Sequence, residues 1–378
     1  NSSEGAAMDV DAFAQLNLTV LWAGFGLAFV FGAIAQITHF CTMGAISDVM
    51  NIGDWSRARQ WLLAMSVSMI GFAVLSLGGF IKPADALYIT PRWSWMSTSL
   101  GGMLFGVGMV LASGCGNKTL IRVGTGNMKS WVVFVVMGIS AFATLRGVTA
   151  VWRNATTDQF FLMAEPQATL GHWISVWLGW DPIQGAAYVG LTLGLILAIW
   201  VLRHGEFWTS TNLWAGLGCG AVIVAMWWLT GHVGWVEEHP QTLEQVYVAT
   251  NSGRMESLSF VAPMAYVLDW LMFFSDKSKL LTLGVMIATG VIVGSFVSSL
   301  FTSTFRWEGF GSVEDLGNHL LGAVLMGVGG ITALGCTIGQ GLSGMSTLAL
   351  NAFTALAFIV IGALIGLKYQ IWRLEQQV

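Results

Sequence analysis

Apolar residues run along this chain in long blocks. Nine blocks are long enough to cross a bilayer as helices, at roughly 20 residues each: 17–36, 61–81, 95–114, 131–150, 182–202, 213–231, 279–301, 316–335 and 348–367. Several open on tryptophan, as at Trp61, Trp95 and Trp131, a residue that favours the membrane–water boundary. Four further stretches, 39–50, 115–127, 257–274 and 336–347, are apolar but short or interrupted. The last, Cys336-Thr-Ile-Gly-Gln-Gly-Leu-Ser-Gly-Met-Ser-Thr347, is too polar and glycine-rich to face lipid. Irregular backbone at membrane depth is tolerated only where protein or a water-filled cavity surrounds it. All four are expected as re-entrant segments; a full crossing by the third, the longest, would change the topology.

Composition sharpens the class. Of the 378 residues, 55% are hydrophobic and only 10% charged, with a mean hydropathy of +0.70. Soluble domains carry about a quarter charged residues, so a water-soluble fold is excluded. The 47 glycines allow close helix approach. A net charge of -4 argues against a nucleic-acid partner. The four cysteines are widely spaced and form neither a disulfide framework nor a CxxC metal pair; no cofactor is expected. The opening 1–8 lacks a basic segment and an apolar core, and reads as a leftover tag, not a signal peptide.

The chain repeats itself. Gly106-Val-Gly-Met-Val-Leu-Ala-Ser-Gly-Cys115 aligns with Gly327-Val-Gly-Gly-Ile-Thr-Ala-Leu-Gly-Cys336, and Leu21-Trp-Ala-Gly-Phe-Gly26 with Leu213-Trp-Ala-Gly-Leu-Gly218. Thr90-Pro-Arg-Trp93 echoes Thr304-Phe-Arg-Trp307, and basic pairs Arg57/Arg59 and Lys277/Lys279 open corresponding helices. The expected organisation is a first membrane repeat over 9–150, a connector with one helix over 151–210, and a second repeat over 211–378. An odd number of crossings separates the repeat starts, so the halves are expected upside down relative to each other. Such inverted repeats place a transport site at their interface near the midplane. The distribution of Lys and Arg favours an outside N-terminus only slightly.

Cys115 and Cys336 hold the same place in the two repeats, each after a glycine-rich span and before a short polar segment. If those segments begin as half-helices, their free N–H groups and positive dipole ends attract an anion, and a thiol adds a soft, weak donor. A cysteine in an apolar helix is ordinarily a small hydrophobe, which suits Cys219. Cys41 has no cysteine at its repeat equivalent near 261–262, but it too stands at a break. Its neighbours make a second reading: His39-x-Cys41-x-Met43 is a soft set that suits copper(I). A third reading, a membrane sulfurtransferase forming a cysteine persulfide, rests on Lys118 near Cys115. Asn117 and Gln340 are candidate donors to an oxyanion. Lys118 either lowers the cost of desolvating a dianion or reaches the surface with Arg122 and Lys129 as an anchor. Asp269 and His319 are expected to cap or pair locally.

Three motifs, Phe40-Cys-Thr-Met-Gly-Ala-Ile-Ser-Asp48, Leu111-Ala-Ser-Gly-Cys-Gly-Asn-Lys-Thr119 and Gly335-Cys-Thr-Ile-Gly-Gln-Gly-Leu342, make the chain resemble the YeeE/YedE family of bacterial inner-membrane sulfur-compound transporters. The resemblance implies an all-α membrane protein of about nine transmembrane and four short re-entrant helices, hourglass-like. It implies a transporter, not an enzyme, that takes up a small sulfur oxyanion, thiosulfate first among them. Cys41, Cys115 and Cys336 would relay the ion by S–H hydrogen bonds without breaking its S–S bond. Gly114, Gly116, Gly335, Thr337, Asn117, Lys118 and Gln340 fall within the matching motifs. Asn117 and Lys118 depart from the small, neutral residues usual after the second cysteine, which leaves sulfite or a selenium species open. A cytoplasmic TusA-like sulfur carrier is the implied partner.

Overall fold

In lipid, a backbone can satisfy its polar groups by closing helical hydrogen bonds within each segment, and the apolar blocks do so. The computed structural model describes residues 10–276 and 280–376. The opening 1–8 and the pair Lys277/Lys279 lie outside the described residues. In order, the helices are α1 (Val10–Ile37), α2 (Thr42–Asn51), α3 (Ser56–Leu77), α4 (Trp95–Leu111), α5 (Gly116–Gly124), α6 (Met128–Arg146), α7 (Val148–Ala155) and α8 (Leu170–Leu178). They continue with α9 (Pro182–Leu202), α10 (Ser210–Leu213), α11 (Cys219–Trp228), α12 (Val261–Met272), α13 (Leu283–Phe301), α14 (Val313–Thr332) and α15 (Leu350–Glu375). Wider π-type turns join α10 to α11, extend α11 to Val233, and occupy Gly339–Gly344.

Eight helical stretches among the described residues are long and apolar enough to cross a membrane: Val10–Asn51, Ser56–Leu77, Trp95–Gly124, Met128–Arg146, Pro182–Leu202, Ser210–Val233, Leu283–Phe301 and Leu350–Arg373. The ninth expected crossing, 316–335, corresponds to α14, which is 20 residues long but not among the eight. Glu314, Asp315, Asn318 and His319 in its first half make it less apolar. His319 pairs with Asp315 at 3.0 Å, a local pairing as expected. Large side chains such as Trp22, Ile196, Trp177 and Phe301 remain exposed on the outside, an exterior suited to lipid.

Small residues decide which helices touch. α4 and α14 run antiparallel in near backbone contact. A Cβ added to Gly108 would lie 2.7 Å from the Gly322 carbonyl oxygen, and one added to Gly322 would lie 2.6 Å from that of Gly108. Gly101 and Gly329 stand in the same reciprocal relation. α15 runs alongside α4, with Gly106 against the Ile359 carbonyl and Gly362 against that of Met103. α6 packs on α14 through Gly327, whose Cβ would lie 2.6 Å from the Met137 carbonyl oxygen. α1 lies parallel to α13, Gly32 meeting Val291 and Gly294 meeting Phe29, while α11 lies parallel to α3, Gly220 meeting Ala64 and Gly71 meeting Val224. These pairs surround a centre that holds the fully buried Phe31 and Phe260, with ring centroids 5.6 Å apart.

Candidate functional site

Three helices stop and restart in the same way. Before each restart stands a side-chain-bearing residue in the left-handed region, His39 at φ 54°, Ser113 at φ 55° and Leu334 at φ 61°. Such residues are uncommon there, and a bulky one such as leucine is rarer still. The residue after each closes the preceding helix by the same six-residue hydrogen bond. Phe40 donates to Ala35 at 3.1 Å, Gly114 to Met109 at 2.8 Å and Gly335 to Gly330 at 2.8 Å. A cysteine follows in every case: Cys41, Cys115 and Cys336.

Each cysteine opens the next helical segment. Cys115 stands at the start of α5 without a side-chain cap bond, whereas Cys41 Sγ accepts the Gly44 N–H at 3.4 Å and Cys336 Sγ accepts the Gly339 N–H at 3.4 Å. This is the role a serine or aspartate plays at a helix start, accepting one of the otherwise unpaired N–H groups of the first turn. Backbone donors thus engage the sulfur lone pairs and leave the S–H proton for another partner. All three thiols are free, and Cys115 and Cys336 have no exposed surface.

Cys219 has neither feature. It lies inside the continuous stretch Ser210–Val233, fully buried and without a cap role. Cys219→Ala is expected to leave radiolabelled anion uptake at the parent rate, and to lower detergent-phase stability by at most about 1–2 kcal/mol for the small void.

The first two breaks come together at one cavity, lined by His39, two residues before Cys41, and by Lys118, three residues after Cys115. Lys118 is near both Cys41 and Cys115. Several polar atoms here are buried without a hydrogen-bond partner: Thr42 Oγ1, both side-chain polar atoms of Asn117, Thr337 Oγ1 and Gln340 Oε1. An unpaired buried polar group costs about 1–3 kcal/mol, and these five atoms all lie in the segments that follow the three cysteines. The Gln340 amide nitrogen is already committed to the Ala333 carbonyl at 2.6 Å, which leaves its acceptor oxygen as the unpaired group. Gly114 is covered by Lys118, whose Cγ would lie 2.9 Å from an added Cβ, and Gly335 lies over Gln340. Gly116 opens α5 against Phe260 and Val261 with ordinary contacts only.

Two cavities lie near opposite ends of α13. One, of about 220 Å³, is lined by Gln36, His39, Lys118, Arg122, Arg306 and Glu308. Its carboxylate is held by the Asn127 amide at 2.6 Å, and Arg122 donates to the Ser113 carbonyl at 2.8 Å, pinning the turn before Cys115. Among the described residues Lys118 makes no ion pair. It lines this cavity with His39 and Arg122, whereas Lys129 pairs with Asp315 at 2.7 Å.

The other cavity, of about 240 Å³, is lined among others by Tyr88, Arg153, Glu256, Ser259, Gly335 and Gln340. Arg153 is neutralised by Asp158 at 2.9 Å. Burial pushes the Tyr88 hydroxyl far above its usual range, and it bonds to Ser259, so it remains a neutral hydrogen-bonding group beside Cys336. Burial also raises the Glu256 carboxyl, against the donors of Ser252.

Sequence motifs did not single out Thr42, Tyr88, Ser259 or Arg306. Thr42 had a visible signal, since Cys-Thr occurs in both the first and third motifs. Tyr88 and Ser259 sit in loops with no recognisable pattern and are brought in only by the fold. Among the described residues no group of three or more His, Cys, Asp or Glu side chains is gathered for a metal, so His39 and Cys41 find no third ligand of those types for copper.

A family model described as Sulphur transport matches residues 38–365. The thiosulfate transporter TsuA of Escherichia coli (strain K12) is 26% identical over 340 residues, covering 88% of this chain and 89% of that protein. The protein of the same name from Spirochaeta thermophila is 27% identical over 355 residues, 91% of this chain and 97% of its own. A probable transporter YedE of Escherichia coli (strain K12) is 31% identical over 113 residues, 29% of this chain and 26% of its own.

Proposed function

The chain belongs to the sulphur transport family and is a multi-pass membrane transporter, not an enzyme, and from that premise we propose that it takes up thiosulfate by a relay of thiols. The observation that carries this reading is the set of three free cysteines at helix starts, with Lys118 of the second motif lining one cavity and Gln340 of the third lining the other. A tetrahedral dianion entering past Lys118, Arg122 and Arg306 meets fixed positive charge first. It then meets S–H donors backed by helix N-termini, with the unpaired polar atoms of Thr42, Asn117 and Thr337 nearby. Thiols are weak donors, and a passage must release at each step what it has just bound. No bond of the ion is broken.

The finer architecture belongs to the same proposal. We read α14 as a ninth crossing and the four interrupted stretches as re-entrant, in two inverted repeats with an hourglass profile. What supports the inversion is a regular exchange of partners. α1 lies on α13 as α11 lies on α3, α4 on α15 as α14 on α6, and α4 meets α14 reciprocally at Gly108 and Gly322. A two-fold axis produces that exchange, and the antiparallel course of the equivalent helices α4 and α14 suits an axis in the membrane plane. The boundaries 9–150, 151–210 and 211–378 belong to the same reading. Residence in a bacterial inner membrane and delivery to a TusA-like cytoplasmic carrier complete the reading.

The test is initial-rate uptake of radiolabelled thiosulfate into vesicles containing the purified chain. Uptake above empty vesicles is expected, and its absence under every ion gradient would reject the substrate. Lys118→Gln is expected to raise the half-saturating concentration about tenfold or more, as the loss of one charge-assisted contact of about 1.5–3 kcal/mol implies. An unchanged value would return Lys118 to the role of an anchor.

A further inference from the structure

The short motif that occurs twice in the chain supplies an arginine to two separate cavities. Thr304-Phe-Arg-Trp307 puts Arg306 on the cavity with Lys118, just past the end of α13. Thr90-Pro-Arg-Trp93 puts Arg92 on a further cavity of about 360 Å³, together with Ser97, Asp158 and Asn351. Thr90, Arg153, Leu334 and Asn351 line both this cavity and the one at Gly335 and Gln340, so the two adjoin. The cavity at Gln340 also meets Gly284 and Ile287, in the first turns of α13. The open space beside the third motif thus continues as far as Arg92, at the end of α13 away from Lys118.

Arg92 is held as a fixed charge. Arg92 and Trp93 pair antiparallel with Met163 and Leu162, and the Arg92 carbonyl accepts Asn351 Nδ2 at 2.9 Å and Thr90 Oγ1 at 3.1 Å. The guanidinium lies 3.9 Å from the centre of the Phe161 ring and donates to the Asp158 carbonyl at 2.9 Å. What it lacks is a carboxylate. The Asp158 side chain, which lines the same cavity, is already taken by Arg153 Nε at 2.9 Å and Ser97 Oγ at 2.6 Å. Glu256 lines only the adjoining cavity, where it accepts the Ser252 N–H at 2.7 Å. Among the described residues Arg92 makes no ion pair. A guanidinium carries five N–H donors in a flat fork, a shape that matches two oxygens of one anion.

We propose that Arg92 is a second anion station, holding a tetrahedral sulfur oxyanion at the mouth opposite Lys118. The inference rests on the transport reading for the direction of traffic, but not for the binding of the anion. The other polar groups nearby are spent on the frame: the Thr90 hydroxyl and the Asn351 amide both hold the Arg92 carbonyl, and Asn351 Oδ1 takes the Ser94 N–H at 2.9 Å. Charge at both ends has a physical purpose. With Lys118, Arg122 and Arg306 at one mouth and no free cation at the other, a dianion would be drawn back to the end where it entered. A matching cation at the far end levels the path, and its exposure to water keeps the grip weak enough for release.

The test has two arms, both on the full chain. In the first, the purified protein is treated with hydroxyphenylglyoxal, which modifies arginine, and mapped by mass spectrometry. Thiosulfate should slow modification of Arg92 severalfold and leave Arg203, exposed after α9 and on none of these cavities, unprotected. Sodium chloride at equal ionic strength should not protect either. In the second, thiosulfate uptake is measured in right-side-out and in inside-out membrane vesicles. Arg92→Gln should raise the half-saturating concentration about tenfold in the orientation that Lys118→Gln spares, and Arg92→Lys should recover part of the loss. Lack of protection at Arg92, equal protection by sodium chloride, or no kinetic effect of Arg92→Gln in either orientation would overturn the proposal. So would a shift confined to the same vesicles as that of Lys118→Gln. Should neither kind of vesicle carry thiosulfate, the transport reading fails, and protection of Arg92 still decides the site.

Discussion

Cys115→Ala should bring thiosulfate uptake down to the level of empty vesicles while the protein still reaches the membrane. The residue has no exposed surface and stands at the start of α5. Alanine removes the S–H donor that the proposed relay requires there and offers nothing in return. A hydrogen bond to a charged group contributes about 1.5–3 kcal/mol net, roughly ten- to 150-fold in rate if it is formed only during passage. The structural cost is smaller, about 1–2 kcal/mol for the small void that the lost sulfur leaves. The measurement is uptake normalised to membrane-inserted protein by immunoblot. Normal uptake by Cys115→Ala would remove the thiol relay from consideration, whereas loss of the protein from the membrane would point to a packing role.

Gly106→Val should be the most damaging single change to the fold. α4 and α15 approach so closely at this point that a Cβ on Gly106 would collide with the Ile359 carbonyl and lie 2.7 Å from the Ala363 nitrogen. Backbone atoms cannot step aside as a flexible side chain can, so the helices must separate. Overpacking of a dense interior typically costs about 1–3 kcal/mol and occasionally more, and a contact between two main chains belongs at the upper end. Separation would also shift Cys115, which follows α4 by a short turn. The expected result is a marked drop in monodisperse protein after detergent extraction, with a lower thermal midpoint in what remains. Gly26→Val is the comparison, since a Cβ there meets nothing within 4 Å; equal damage from both would mean that close approach is not what these glycines provide.

The positions of the membrane helices were legible because length and apolarity are read directly from residues. Block 61–81 became α3 and 182–202 became α9 with small shifts. Block 316–335 became α14 but began three residues earlier, at Val313, because Ser312 caps the Asp315 N–H at 3.1 Å. The reciprocal glycine contacts were foreshadowed by the matched Gly-Val-Gly runs. The site was legible where it is written in consecutive residues: Cys41, Cys115 and Cys336 are found as a class because each stands at a visible break. The meeting of His39 and Lys118 on one cavity was not, since it depends on how the first two breaks are brought together by the fold. Tyr88 and Ser259 were invisible for a similar reason, being ordinary residues in ordinary loops until they are folded beside Cys336.

The capping geometry of Cys41 and Cys336 carries one more implication. A hydroxyl in the same places would hold the same N–H groups, and more firmly, so the scaffold itself gives no reason to use sulfur there. Whatever favours thiols acts on the traffic and not on the architecture: a softer grip, surrendered more readily, is the property that the framework has been arranged to display.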